Sequence, residues 1–183
     1  MKRRRFLQSV AAVFPLEWLE RAGWAEMVGD SAPQAHVMAE GQDRLGEHHT
    51  LGFSHIAFKV LPRETAGGLF VIEHTHLMKA GPPLHLHHAQ EEYFYVMEGR
   101  ALFQVGERKV ELKAGDSVLG PRGVPHTFVP VGETPARMLI AFTPAGQMEE
   151  FFREQEKSGA PFKNPEDFAR YGMQWVGPGL KAS

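Results

Sequence analysis

Gly81-Pro82-Pro83-Leu84-His85-Leu86-His87-His88-Ala89-Gln90-Glu91-Glu92-Tyr93-Phe94-Tyr95-Val96-Met97-Glu98-Gly99 carries most of the information in this chain of 183 residues. Side chains alternate across a strand, so His85 and His87 share one face and His88 takes the other. Two imidazoles on one face can ligate one ion. A chain that turns back after His88 can bring Glu91 or Glu92 to that ion from the neighbouring strand. The run Tyr93-Phe94-Tyr95-Val96 is aromatic and β-branched, the composition of a half-buried strand. Downstream, Gly115-Asp116-Ser117-Val118-Leu119-Gly120-Pro121-Arg122-Gly123-Val124-Pro125-His126 sets one more histidine at a strand start, just after a tight Pro/Gly turn.

The surrounding sequence has the same texture. Short apolar segments broken by Gly or Pro occupy 52–60, 68–78, 92–98, 101–105, 108–112, 117–119, 126–129 and 136–142. Hairpin signals stand at Glu98-Gly99-Arg100 and Val105-Gly106-Glu107. With 19 glycines and 13 prolines, turns are frequent, which favours many short strands over a few long helices. About eight strands with close turns predict a sandwich or barrel. After Pro144 the pattern changes to helical. In 147–157 Met148, Phe151, Phe152 and Gln155 fall on one side and the acids mostly on the other. Asn164-Pro165-Glu166-Asp167 announces a second short helix that Gly172 can close. The final 174–180 stretch is too rich in Gly and Pro for a regular element. Both helices are expected to cover an open end or edge of the sheets.

Composition limits the chemistry. The chain has 10 histidines and no cysteine, so any metal sits on nitrogen and oxygen. A net charge of −2, with most of the basic excess confined to the first 25 residues, gives no footprint for nucleic acid. That terminus reads as an export signal over 1–25: a basic head, an apolar run from Leu7 to Leu16, and Gly23-Trp24-Ala25. Arg3-Arg4-Arg5-Phe6-Leu7 is similar to the twin-arginine pattern, which predicts a periplasmic or exported protein. The other reading is an amphipathic arm packed on the body of a cytoplasmic protein. The apolar run is too short to span a bilayer, so no permanent membrane anchor is expected. Residues 26–50 are polar and aperiodic, a linker or surface arm, and His48-His49 within it is expected to be exposed.

Taken together, the two histidine motifs resemble those of the cupin superfamily. The first motif of that family is His-x-His, three or four residues, Glu, six residues, Gly; here it is His85-Leu86-His87, then Glu92, then Gly99. The second is Gly, five residues, Pro-x-Gly, two residues, His, three residues, Asn, matched by Gly115, Pro121, Gly123 and His126. Pro130 replaces the final Asn, Gly81 precedes the histidine pair at an unusual offset, and Glu91 offers a competing acid. The resemblance covers about 50–143. It implies a mainly β protein with a cupin-type double-stranded β-helix (jelly-roll barrel) over 51–143 and a helical tail with short helices over 144–183.

It further implies that His85, His87, Glu92 and His126 hold one divalent metal ion of Fe, Mn, Ni, Cu or Zn type, a donor set of imidazole and carboxylate. Among cupins, the closest likeness is to single-domain proteins grouped with quercetin 2,3-dioxygenase; Pro144-Ala145-Gly146 and Phe151-Phe152 share in it. The expected function is a metal-dependent dioxygenase acting on a small hydroxylated aromatic or enolisable compound, with Glu92 as a ligand that also handles a proton. A non-catalytic small-molecule binding or sensing cupin is one alternative, and a metal-assisted isomerase or lyase is another. Phe94 and Val96 have the parity of Glu92 and, with Phe128, are candidates for an apolar pocket wall. Their plainer reading, and that of Tyr93 and Tyr95, is core packing. His74 and His76 lie two apart and either line the same cavity or sit on the solvated face of a strand. Small cupins commonly dimerise through a sheet, so a homodimer is expected.

Overall fold

A computed structural model describes residues 35–52, 54–158 and 164–182. The export segment 1–25 lies outside the described residues, as does 26–34 of the polar arm. By contact density the chain divides after Val37. All the strands and helices lie in the unit that begins at Met38 among the described residues.

This unit is mainly β. Eleven strands are found among the described residues: β1 His49–Leu51, β2 Ser54–Val60, β3 Phe70–Leu77, β4 Leu84–His87, β5 Glu91–Glu98, β6 Arg100–Val105, β7 Arg108–Lys113, β8 Ser117–Gly120, β9 His126–Pro130, β10 Ala136–Thr143 and β11 Met173–Gly177. Helices α1 (Met148–Ser158) and α2 (Pro165–Ala169) lie between β10 and β11. All pairings are antiparallel and make two sheets, one ordered β1-β2-β3-β10-β5-β8 and the other β11-β4-β9-β6-β7. This is the jelly-roll arrangement that the turn spacing and the two motifs imply.

Alternation decides which side chains meet between the sheets. In β5 the burial runs Glu92, Phe94 and Val96 inward and Tyr93 and Tyr95 outward. Phe58, Phe70, Phe142 and Phe152 form a ladder of ring contacts with centroids 5.2 to 6.1 Å apart. Phe94, Phe103 and Phe128 form a second aromatic group, every pair in contact. Burying one such ring contributes roughly 1.5–3 kcal/mol, so these two groups anchor the sandwich. The hairpins close where expected, with Gly99 and Gly106 at φ of 72° and 58°.

Three readings of the sequence need correction. The 174–180 stretch is not wholly irregular, because Met173–Gly177 forms β11 against β4, with Met173 opposite His87 and Trp175 opposite His85. Met173 is buried and Trp175 meets Phe168 edge-on, so packing outweighs the local Gly/Pro bias, and the only irregularity is a register shift before Gly177. The 144–183 tail is thus helical only in part. Next, His49 is not exposed: it is 4% accessible and stacks on Phe58 at 4.1 Å. A strand pairing of His49 with Ile56 turns it inward, while His48 faces solvent. The arm before it is tied to β2, since Asp43 Oδ2 accepts the Phe58 N–H at 2.6 Å and the Arg44 N–H donates to the Phe58 carbonyl.

Third, His74 and His76 do not share a face. His76 has φ of 56°, and the register between β3 and β10 shifts across it, so the strand carries a bulge there. The bulge breaks the period of two, leaving His74 buried and His76 exposed, stacked edge-on with His55.

Candidate metal centre

The strand register brings four side chains from different elements to one point. His85 and His87 project from β4, His126 from β9 opposite His85, and Glu92 from β5 in the other sheet. The ligating atoms of all four lie within 4.8 Å of one another and all four side chains are buried. Nε2 of His126 stands 2.8 Å from Glu92 Oε2, Nε2 of His87 is 3.0 Å away and Nε2 of His85 is 3.9 Å away.

The other ring nitrogens explain why the Nε2 atoms converge. His85 Nδ1 donates to the Pro83 carbonyl and His126 Nδ1 to the Val124 carbonyl, each at 2.9 Å, while His87 Nδ1 reaches Gln90 Oε1 at 3.4 Å. An oxygen acceptor at Nδ1 fixes the proton there and leaves the Nε2 lone pair for an ion. Gln90 is in turn held by its Nε2, which donates to the Ala145 carbonyl at 3.0 Å.

Charge follows from the same contacts. Burial alone pushes the Glu92 carboxyl up, but the close approach of the His126 and His87 rings outweighs it and holds the group ionised well below the usual carboxylate range. Burial pushes His85 down to about 3 against the pull of Glu92, so it is neutral and ready to ligate. For His126 burial again lowers the pKa, but the bond to Glu92 prevails and raises it. A buried carboxylate ringed by three imidazoles with their Nδ1 atoms occupied fits one divalent ion of the Fe, Mn, Ni, Cu or Zn group. Three imidazoles and one carboxylate leave open positions on a six-coordinate ion.

Each residue expected near this point can now be placed. Glu91 does not compete with Glu92: it faces outward and is held by Arg122, whose Nη2 donates to Glu91 Oε2 at 2.6 Å. A cavity of about 630 Å³, part of it open to solvent, reaches the site; His74, His85, His87, Glu92 and Phe128 line it. Phe94 and Val96 lie in the core behind that wall, Phe94 meeting the His126 ring at 5.9 Å. His76 stays outside the cavity, for the bulge turns it away. His88 is exposed. The opposite wall is aromatic and comes from the helices: Phe151 and Phe152 of α1 and Phe168 of α2. Both helices thus contribute to the lining of the cavity.

Three contributors, Gln90, Ser54 and Gly120, escaped the sequence reading. Gln90 has the parity of Glu92, which is a usable signal. Ser54, whose Oγ is 2.5 Å from His74 Nε2, belongs to a strand 20 residues away and carries none. Gly120 is placed opposite Glu92 in β8, and only the fold reveals its closeness to His126. Gly81 runs so near β9 that a Cβ would stand 1.8 Å from the Phe128 carbonyl oxygen, which accounts for a glycine at that offset.

Comparison with known proteins agrees with this architecture. Residues 74–142 match the Cupin domain family. A stretch of 61 residues is 36% identical to an uncharacterised protein of Methanocaldococcus jannaschii, covering 33% of this chain and 49% of that one. The chain spans about half the length of the curated relatives it matches. An RmlC-like cupin from Shewanella frigidimarina superposes with a TM-score of 0.53 at 22% identity, covering 63% of this chain and 96% of that one. KdgF from Halomonas sp. gives 0.51 at 16% identity, covering 61% and 94%. At such identities the likeness is one of fold. The motif spacing, the two facing sheets and the matched family model agree that residues 74–142 carry a cupin domain.

Proposed function

We propose that this protein is a metal-dependent dioxygenase acting on a small, flat, hydroxylated aromatic or enolisable compound. The observation that carries the reading is the contrast within the cavity. Its polar side chains are His85, His87 and Glu92 of the metal centre together with His74 and Gln155, while Phe128, Phe142, Phe151, Phe152 and Phe168 make up much of the rest. Among the described residues no Lys or Arg lines it, so a multiply anionic substrate would find only the ion as a counter-charge. An apolar ring with one or two oxygens at its edge matches this wall.

A bound ion would supply Lewis acidity to a substrate oxygen and a place beside it for dioxygen. The chain's own residues do the remainder. Aromatic walls orient the ring and exclude water. Glu92, held as a carboxylate, is positioned to accept the proton of a substrate hydroxyl at Oε2. The neutral His74, 4% accessible, offers a fixed dipole at the far wall.

Oxygen uptake by the iron-, manganese- or nickel-loaded full chain, given flavonols and simpler enediols, tests this reading. Uptake in step with substrate loss is expected. Turnover at an equal rate under strict anaerobiosis would replace it with a metal-assisted isomerase or lyase, and tight binding without turnover would leave a sensing cupin.

We also propose that two copies pair through the outer face of the six-stranded sheet. Tyr93, Tyr95 and Leu119 are neighbours there on β5 and β8 and are 37%, 39% and 47% accessible, an unusual concentration of large apolar surface.

A further inference from the structure

A second cluster of metal-ligating groups lies outside the cavity, where the arm before β1 meets α1. The His49 ring is 96% shielded and clamped: Phe58 stacks on it, and its Nδ1 donates to Glu156 Oε2 at 2.6 Å. That bond places the proton on Nδ1. Nε2 is buried and without a hydrogen bond. It faces Glu47 Oε2 at 3.3 Å and Asp43 Oδ2 at 3.6 Å, and all three ligand atoms lie within 4.8 Å of one another. Ligands bound to one ion at roughly 2.0–2.2 Å stand about 3.0–3.4 Å apart, so little movement is needed to close on a cation.

Charge points the same way. Three carboxylates, Asp43, Glu47 and Glu156, surround this imidazole. Arg153 offers one guanidinium, bonding Glu47 at 2.9 Å and sharing its charge with Glu149. A carboxylate behind a histidine whose far nitrogen faces two further acids is the arrangement that orients and strengthens a metal ligand. The Asp43 carboxylate is pre-set by the N–H groups of Leu45, Glu47 and Phe58. A path from solvent exists, because Glu47, His48, His49 and His55 line an open hollow.

We propose that His49, Asp43 and Glu47 form a second divalent-cation site, distinct from the barrel centre, for a zinc-like ion completed by water. One imidazole and two carboxylates suit such an ion. Bound there, it ties the arm and β1 to α1 through Glu156 and Arg153. Leu51 of β1 and Phe151 and Phe152 of α1 both line the barrel cavity, so the ion braces that cavity's mouth. The inference is independent of what the barrel centre catalyses.

The test uses the full chain carrying His87→Ala and His126→Ala, which removes the barrel centre, and zinc alone as the probe. Equilibrium dialysis should find one zinc per chain in this background and two in the wild type. Zinc should raise its melting temperature. Adding Glu47→Gln, a change at a half-exposed side chain, should weaken binding at least tenfold, and His49→Ala should abolish it. No zinc in the doubly substituted background, or zinc retained after both further changes, overturns the proposal and leaves His49 as an imidazolium between acids. Should the background variant fail to fold, anomalous diffraction at the zinc edge from wild-type crystals decides: a peak between His49 Nε2, Asp43 and Glu47 supports the site, and a peak at the barrel centre alone overturns it.

Discussion

Gly120 leaves the space that His126 occupies: a Cβ at residue 120 would stand 2.9 Å from His126 Nδ1 and 3.1 Å from its Cγ and Cε1. The ring has no room to retreat. Nδ1 is bonded to the Val124 carbonyl, Nε2 faces Glu92, and Phe94 meets its edge. Gly120→Ala should therefore displace one ligand while β8 still pairs with β5. Metal affinity at the barrel centre should fall roughly 10- to 100-fold, the cost typical of disturbing a ligand's support. A competition titration against a chelating dye measures it. Unchanged affinity would show that the barrel relaxes around the methyl group.

Adjacent acids at 91 and 92 provide a sharper control. Glu92 is buried among three imidazoles, whereas Glu91 meets Arg122 at the surface. Glu92→Gln should lose most bound metal and any activity, and Glu91→Gln should keep both, since exposed ion pairs contribute about 0–1 kcal/mol. Elemental analysis of both proteins, purified alike, separates the two roles. Equal depletion in both would overturn the assignment of Glu92 over Glu91 as the ligand.

How far the sequence leads depends on the range of the interaction. Strand alternation and motif spacing place His85, His87, Glu92 and His126, because each lies within a few residues of a turn whose chemistry is explicit. The apolar stripe of α1 is equally local. His76 escapes because one positive-φ residue inverts parity, and a bulge has no compulsory residue type. His49 escapes because its burial comes from Phe58 and from Glu156, 107 positions later. The strand Met173–Gly177 escapes because β4 supplies its ladder partners and Phe168 its packing. Glu91 stands beside the motif's Glu92 as a competing acid, and its engagement by Arg122 is visible only after folding.

The outer sheet face yields a test of association. Tyr93 and Leu119 are directly paired across β5 and β8, and Tyr95 lies two residues along. Tyr95→Glu introduces a charge into this row without touching the core side of β5. Sedimentation should show a dimer for the wild type and a shift toward monomer for the variant, with metal content unchanged. A wild type that sediments as a monomer at high micromolar concentration would remove the proposed pairing.

His74 is one source of acid sensitivity in the metal-free protein. Its ring is buried beside Phe128 with Nε2 against Ser54 Oγ, and burial pushes it down to about 3 despite the pull of Glu92. In the unfolded chain a histidine titrates near about 6.5. The folded pKa is the lower one, so the unfolded state binds the proton first. Stability from the neutral ring is complete above pH 6.5 and is lost as pH falls from 6.5 toward 3. At pH 5 the loss from this group is about 2 kcal/mol, and the slope approaches about 1.4 kcal/mol per pH unit. His74→Gln removes the titration while retaining a side chain able to meet Ser54. In urea titrations of the chelator-treated proteins at pH 7, 6, 5 and 4, the stability of the wild type relative to the variant should fall by about 2 kcal/mol between pH 7 and pH 5, whatever the difference at pH 7. His85, Glu92 and His126 titrate in both proteins, so their contributions largely cancel in the comparison. Parallel curves over that range would mean that the folded protein already protonates His74 near its ordinary value, and that the cavity wall there is open to water.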